Sequence, residues 1–122
     1  MTIKGIGHDL LSLSRIREVI RKRGAAFCKK TLTLKEQSSS AKYRDPVPFI
    51  GGRFAGKEAV AKSLNVGLGK RIGLLDIEIL PNPDGAPIVS LSEKVKMTFD
   101  NPHILLSITH CRAYISAVAI WI

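Results

Sequence analysis

Two carboxylates and one lysine are the residues whose types and spacing best suit chemistry. Asp9 lies in a glycine-rich, strand-like segment, where alternation puts it on one face with Gly5 and Gly7. Glu58 and Lys62 are four residues apart in a predicted helix, so they are neighbours on one side of it. Two carboxylates from different elements beside a lysine suit a Mg²⁺ ion that also binds phosphate. The alternative is a helix-stabilising Glu58–Lys62 ion pair, because spacing alone does not show that Asp9 and Glu58 meet.

The remaining polar motifs define no comparable site. Ser107 and Thr109 share one face of a predicted strand and His110 follows at its end, a position at which histidine is usually structural. The three histidines are too scattered to indicate zinc, and no nucleophile with a neighbouring base is evident. Gly67 and Gly69 belong to a glycine-rich turn that lacks the pattern of a phosphate-binding P-loop.

The elements that must position these residues alternate between strand and helix patterns. Their close spacing predicts an α+β fold with an antiparallel sheet and packed helices rather than a doubly wound parallel sheet. Ser12 or Ser14 is the expected cap of the first helix, and Gly24 its stop signal. The predicted elements are strands 2–10, 74–80, 87–91, 104–109 and 114–120, helices from 12 or 14 to 23, 49–64 and 92–99, and a mobile polar loop at 38–48.

Composition predicts one soluble globular domain over residues 1–122. The chain is 45% hydrophobic and 24% charged, which excludes collagen-like and disordered classes. No apolar run approaches the length of a membrane span, and the first residues do not resemble a secretory or organellar leader. Cys28 and Cys111 cannot form a disulfide scaffold and have no metal-binding spacing, which favours a reducing compartment.

The positive charge is concentrated in the first half of the chain. Fourteen basic and five acidic residues precede residue 63 and five of each follow, so that half carries the whole net charge of +9. Such a surface usually meets phosphate, nucleic acid or an acidic protein. A small basic nucleic-acid-binding module is therefore the alternative function, although seven aromatic residues provide no evident stacking platform. The first helix is the most basic element, with Arg15, Arg21, Lys22 and Arg23.

Four segments, in order and with preserved spacing, resemble the holo-acyl-carrier-protein synthases, which are small 4′-phosphopantetheinyl transferases. The first is GIGHDL at residues 5–10, and the second is RFAGKEA at 53–59 followed by Lys62. The third comprises residues 76–79 and 85–87, and the fourth is SITH at 107–110 with the strand after it. The resemblance implies the 4′-phosphopantetheinyl transferase fold and a homotrimer in which each active site lies between two subunits.

The resemblance also implies an activity and its residues. Enzymes of this family transfer 4′-phosphopantetheine from coenzyme A to a serine of apo-acyl carrier protein, which yields 3′,5′-ADP and serves fatty acid biosynthesis. By position, Asp9 and Glu58 would bind Mg²⁺, while Lys62 would neutralise the pyrophosphate and could protonate the leaving group. Either Glu58 or a metal-bound water would accept the serine proton. Coenzyme A would contact Lys62, Gly67, Gly69, Pro87, Ser107, Thr109 and His110.

The partners that the resemblance implies are coenzyme A and an acidic acyl carrier protein, with no nucleic acid and no membrane. The carrier would dock on Arg15, Arg21, Lys22 and Arg23 of the basic helix. The expected location is the cytoplasm, with the mitochondrial matrix as the alternative. Two positions depart from the family pattern or lack a role in it: Ala86 stands where the family has a lysine, and His8 is assigned no role.

Overall fold

Two antiparallel sheets surround a central helix in the computed structural model, which describes residues 2–122. The larger sheet has the strand order β1-β5-β4, and the smaller one pairs β2 with β3. The predicted α+β architecture with antiparallel pairing is confirmed. The elements are β1 (Gly5–Ser12), α1 (Leu13–Thr31), α2 (Leu34–Ser40), α3 (Val47–Ser63), β2 (Ile77–Pro81), β3 (Pro87–Leu91), α4 (Glu93–Thr98), β4 (Ile104–His110) and β5 (Tyr114–Trp121).

Helix α3 is the centre of the fold and is buried on most of its circumference. Ala55, Ala59, Val60 and Ala61 are inaccessible to solvent, as expected for a helix that is apolar on nearly every side. It packs against β1, β5 and β4 of the larger sheet, and also against α1 and β2. Within residues 2–122, no helix is both long and apolar enough to cross a membrane.

The two glycines of β1 allow α3 to approach the strand backbone to backbone. A Cβ atom at Gly7 would overlap the carbonyl oxygen of Ala59, and one at Gly5 would overlap that of Ser63. A glycine-rich strand indicates the close approach of either a ligand or another backbone. In this structure, the backbone of α3 approaches the two glycines. This contact fixes the position of β1 along α3 and places Asp9 beside the last two turns of the helix.

The first regular segment of α1 ends at Gly24, as predicted, and a second helical segment follows it. Ser12 caps the first segment, as one of the two expected residues, and α1 continues to Thr31. Gly24 forms a kink, with φ 37° and ψ −112° inside the helix. The segment after the kink is held by packing, because Phe27 and Cys28 contact a small apolar cluster of Leu32, Phe49 and Ile50. The glycine thus interrupts the helix as its stop signal predicts, and the local pattern did not predict the second helical segment that packs after it.

The predicted polar loop at 38–48 is partly wrong. Its serine-rich beginning belongs to α2, which starts at a capping box formed by Thr33 and Glu36. Only residues 41–46 lie outside helices, and α3 begins at Val47, two residues earlier than expected. The remaining boundaries differ by no more than three residues, and β3 matches its prediction at both ends. The largest difference at β2 arises from a 3₁₀ turn at Leu74–Asp76 before it.

A fully buried ion pair joins α2 to α3. The Nζ atom of Lys57 lies 2.6 Å from Oε1 of Glu36 and donates a second hydrogen bond of 2.6 Å to the carbonyl of Thr31. The carboxylate of Glu36 also accepts from the backbone N–H groups of Thr33, at 2.8 Å, and Ile79, at 2.7 Å. Burial lowers the pKa of Lys57, and the hydrogen bond to Glu36 opposes that shift. The pair therefore connects α1, α2, α3 and β2 at one point.

Replacement of Gly7 with alanine tests the close contact between β1 and α3. The new methyl group would meet backbone rather than a flexible side chain, so we expect Gly7→Ala to lower the free energy of unfolding by about 1–3 kcal/mol. Gly69→Ala is the matched control, because no atom lies within 4 Å of a Cβ built there. Urea denaturation of both variants measures the difference. Equal stability of the two variants would contradict the contact.

Replacement of Lys57 with methionine tests the buried ion pair. The change leaves the Glu36 charge buried without its cation, and we expect a loss of about 3–5 kcal/mol of folding free energy. Lys62→Met provides the control on the same helix, since the Lys62 side chain is 48% exposed and its loss costs little stability. If the two methionine variants unfold at the same urea concentration, the pair does not have the structural role described.

Candidate active site

Asp9, Glu58 and Lys62 meet where β1 passes the last two turns of α3. The Nζ atom of Lys62 lies 3.4 Å from Oδ1 of Asp9 and donates a 3.0 Å hydrogen bond to the carbonyl of His8. Asp9 is mostly covered, with 17% of its side chain exposed. The three residues that spacing alone could not join therefore form one cluster, which we call the carboxylate site.

The electrostatics of the carboxylate site show that its two acids interact. Burial raises the pKa of Glu58, the charge of Asp9 raises it further, and Lys62 acts in the opposite direction. The lysine thus compensates part of the repulsion between the two carboxylates. A second cation at this place would be favourable for the same reason.

The donor set of the carboxylate site fits Mg²⁺. Among residues 2–122, no group of three or more histidine, cysteine or acidic side chains could surround a metal ion. Mg²⁺, however, is commonly held by one or two carboxylates together with water and substrate phosphates. The carboxylates of Asp9 and Glu58 repel one another and could both bind such an ion. Water and a phosphate-bearing substrate would complete its coordination shell.

A cavity of about 360 Å³ lies on the other side of α3 and is lined by aromatic and basic side chains. Phe49 stands between Tyr43, at a ring distance of 5.2 Å, and the guanidinium of Arg53, whose Cζ is 4.0 Å from the ring centre. The Nε atom of Arg53 donates a 3.1 Å hydrogen bond to Ile79, which holds the guanidinium in place. Burial lowers the pKa of Arg53. We call this space the aromatic cavity, and His110 and Pro87 also line it.

The carboxylate site and the aromatic cavity lie at opposite edges of the larger sheet. Asp9 on β1 pairs with Ala117 on β5, and Ala117 pairs in turn with Ile108 on β4. Asp9 therefore marks one edge of a strand row, while Ile108, which lines the cavity, marks the other. Two neighbouring strand spacings, together about 10 Å, separate the backbones. The carboxylate site and the aromatic cavity are therefore separate within one chain.

The remaining predicted coenzyme A residues lie outside the aromatic cavity. Ser107 and Thr109 are exposed on the face of β4 that points away from α3, so they line neither half within the chain. Gly67 and Gly69 lie in the loop directly after α3, near Lys62 in its last turn. The N–H of Gly67 caps α3 through Ala61, at a φ of 69° that suits glycine.

The basic residues of α1 are exposed but differ in their partners. Glu18 binds Arg21 through two hydrogen bonds of 2.7 and 3.0 Å and lies 3.6 Å from Lys22. Arg15 and Arg23 have no acidic partner among residues 2–122. Of the predicted docking residues, Arg15 and Arg23 are thus the two whose charge is not compensated by an acidic side chain among residues 2–122.

Comparison with known proteins decides the family. The family model of the 4′-phosphopantetheinyl transferase superfamily matches residues 5–119. The chain belongs to this superfamily. A holo-[acyl-carrier-protein] synthase of Protochlamydia amoebophila is 40% identical over 117 residues, which cover 96% of each chain.

Solved structures of holo-acyl-carrier-protein synthases share the fold over nearly the whole chain. The Bacillus anthracis enzyme, in complex with CoA (3′,5′-ADP), has 31% identity and a TM-score of 0.86 and covers 99% of this chain and 97% of its own. The Helicobacter pylori enzyme, in complex with coenzyme A, has 32% identity and a TM-score of 0.88 and covers 96% and 99%. The family resemblance and the fold that it implied are confirmed.

Sequence reasoning missed most of the aromatic cavity. Arg53 was visible only as part of a motif, and nothing in the sequence marked Tyr43 or Asp45 as neighbours of His110. These residues come from a turn, a helix and a strand end that are far apart in the chain. The proline–glycine pattern around Ala86 was a partial signal, because Gly85 and Pro87 line the cavity while Ala86 itself is exposed.

Proposed function

We propose that the protein is a holo-acyl-carrier-protein synthase that transfers 4′-phosphopantetheine from coenzyme A to a serine of apo-acyl carrier protein and releases 3′,5′-ADP. The observation that carries the proposal is the pairing of Asp9 and Glu58 beside Lys62, in a chain that belongs to the transferase superfamily. The relatives with this name support the substrate and product. Family membership favours this function over nucleic-acid binding.

The residues of the carboxylate site have distinct roles in the proposed reaction. The serine oxygen attacks the phosphorus that carries the pantetheine arm, and the bond from that phosphorus to the departing 3′,5′-ADP breaks. Glu58 accepts the serine proton, and the burial that raises its pKa makes its carboxylate a stronger base. Lys62 is oriented by the carbonyl of His8 and neutralises the leaving phosphate. Asp9 keeps Lys62 in reach of that phosphate.

Asp9 and Glu58 would hold Mg²⁺ together with the pyrophosphate of coenzyme A. Bound there, the metal supplies positive charge to phosphate oxygens during transfer. This assignment rests on the repulsion between two carboxylates with one compensating lysine.

The aromatic cavity is the proposed nucleotide site. Its volume is within the range of small-molecule sites, and it combines aromatic faces with the basic side chains of Arg53 and His110. Aromatic faces suit a base, while a guanidinium held by Ile79 suits phosphate. Pro87 lines the same cavity, and we assign Gly67 and Gly69 to the coenzyme A loop beside Lys62.

A homotrimer would unite the two halves of the site. The outward face of the larger sheet exposes Ile6 by 66%, Leu10 by 60% and Leu105 by 48%, which is unusual for a face that meets only water. Ser107 and Thr109 lie on the same face and would reach coenzyme A from a neighbouring subunit. A second copy covering this face would bring its cavity toward the carboxylate site, so we propose that each active site lies between two chains.

The carrier protein is proposed to dock on α1. Acyl carrier proteins are acidic, and exposed arginine and lysine side chains on one helix steer such a partner and orient it. The predicted docking residues are Arg15, Arg21, Lys22 and Arg23. We further propose that residues 1–122 form one catalytic domain that serves fatty acid biosynthesis in the cytoplasm, with which two free cysteines and bacterial relatives agree.

The proposed activity is tested by mass spectrometry of the carrier. Apo-carrier incubated with the protein, coenzyme A and Mg²⁺ should gain the mass of one phosphopantetheine group. We expect Glu58→Gln to lower the rate by about 10²-fold or more, because it removes both a proton acceptor and a ligand charge. Glu93→Gln, at a surface position with 85% exposure, is the matched control and should retain the wild-type rate.

Two results would contradict this assignment. A carrier that gains no mass with the wild-type protein overturns the proposed function. Wild-type turnover by Glu58→Gln at saturating Mg²⁺ overturns the role of Glu58 alone. Without Mg²⁺ and coenzyme A, the melting temperature of Glu58→Gln should be no lower than that of wild type, because the substitution removes a repulsion between Glu58 and Asp9.

Charge reversal at Arg15 tests the docking surface. We expect Arg15→Glu to raise KM for the carrier roughly three- to tenfold at low salt, while KM for coenzyme A stays close to wild type. The effect should shrink as salt screens the interaction. Lys96→Glu makes the same charge change on α4 and should leave the carrier KM unchanged. Equal effects of Arg15→Glu on both substrates would show that α1 is not a dedicated docking surface.

A further inference from the structure

One acidic residue lies in the lining of the aromatic cavity. Asp45 belongs to the turn between α2 and α3 and is half exposed at the cavity. The other charged lining residue is Arg53, which suits phosphate, and a carboxylate at the same place would repel it. An uncompensated charge of Asp45 would therefore oppose the nucleotide that we assign to this cavity.

The charge of Asp45 is compensated from another element. Arg17 of α1 binds both carboxylate oxygens in a fork, with Nη1 3.2 Å from Oδ1 and Nη2 2.9 Å from Oδ2. The N–H of Val47 donates a third hydrogen bond, of 3.2 Å, to Oδ1 and thereby fixes the carboxylate at the start of α3. The hydrogen bond from Arg17 lowers the pKa of Asp45, so that the carboxylate is charged at neutral pH.

Arg17 also lies on the helix that we assign to the carrier. It is one turn before Arg21 and two residues after Arg15, and its own side chain is 54% exposed. The Arg17–Asp45 pair is a bidentate ion pair between α1 and the turn that forms the cavity wall. The two proposed substrate surfaces thus share one pair of side chains.

We propose that Arg17 is a positioning residue for coenzyme A: it holds Asp45 and cancels its charge, so that the positive charge of Arg53 at the cavity remains available to the nucleotide phosphates. This inference rests on the proposed function. It separates Arg17 from Arg15 and Arg23, the docking residues of α1 that lack an acidic partner among residues 2–122. Loss of Arg17 should harm the nucleotide only through Asp45.

A double-mutant cycle tests this dependence. Steady-state kinetics at low salt would compare wild type with Arg17→Gln, Asp45→Asn and the double variant, and calorimetry would measure coenzyme A binding in each. We expect Arg17→Gln to raise KM and Kd for coenzyme A about two- to fivefold, with kcat nearly unchanged. The double variant should return to the wild-type values, and Asp45→Asn alone should bind coenzyme A at least as tightly as wild type.

Arg15→Gln is the matched control on the same helix. It should raise KM for the carrier and leave KM for coenzyme A unchanged, whereas a general weakening of α1 would move both. The defect of Arg17→Gln should also diminish at high salt, where charges are screened.

Three outcomes would overturn the proposal. Weaker coenzyme A binding by Asp45→Asn would make Asp45 a direct ligand, and a double variant as weak as Arg17→Gln would show that Arg17 acts without Asp45. An unchanged coenzyme A affinity in Arg17→Gln would remove the role altogether. These outcomes are distinct from failure of the proposed function: a wild-type protein that binds coenzyme A but does not modify the carrier overturns that function, while calorimetry still decides the role of Arg17.

Discussion

The buried contact between Lys57 and Glu36 constrains more of this molecule than any other polar interaction. A charge without solvent is stable only when every donor and acceptor around it is satisfied, and here residues of α1, α2, α3 and β2 supply the partners. Those four elements can therefore shift relative to one another only by leaving a charge unpaired. The position of α3 is therefore fixed, and with it the positions of the functional side chains on this helix.

Helix α3 serves both halves of the site because it is buried on nearly all sides. Arg53 and Glu58 are five residues apart, so they leave the helix about 140° from one another and face different surroundings. Arg53 faces β2 and the aromatic cavity, while Glu58 faces β1 and Asp9. The glycines of β1 then bring strand and helix close enough for Lys62 to reach Asp9. A short chain thus builds two chemically different surfaces on one rigid element.

The sequence predicted the parts of this structure that depend on local pattern. Local patterns predicted the strands, and their close spacing predicted the antiparallel pairing. The isolation of Asp9 and the spacing of Glu58 and Lys62 indicated the carboxylate site. Contacts between distant segments were not accessible: Glu36 and Lys57 are 21 positions apart, and the serines after Glu36 read as loop. The helical segment after Gly24 and the aromatic cavity likewise depend on tertiary packing, which a local signal does not contain.

The two half-sites lie at opposite sheet edges, which determines how a defect in one subunit would affect its neighbours in the proposed assembly. A subunit with defective carboxylates still lends an intact cavity to its neighbour, and a subunit with a defective cavity still lends intact carboxylates. Two chains that are each inactive alone could thus complement one another in a mixed oligomer. Conversely, dilution below the concentration needed for association would silence chains that are individually well folded. Catalytic competence would then be a property of the population of chains rather than of the single polypeptide.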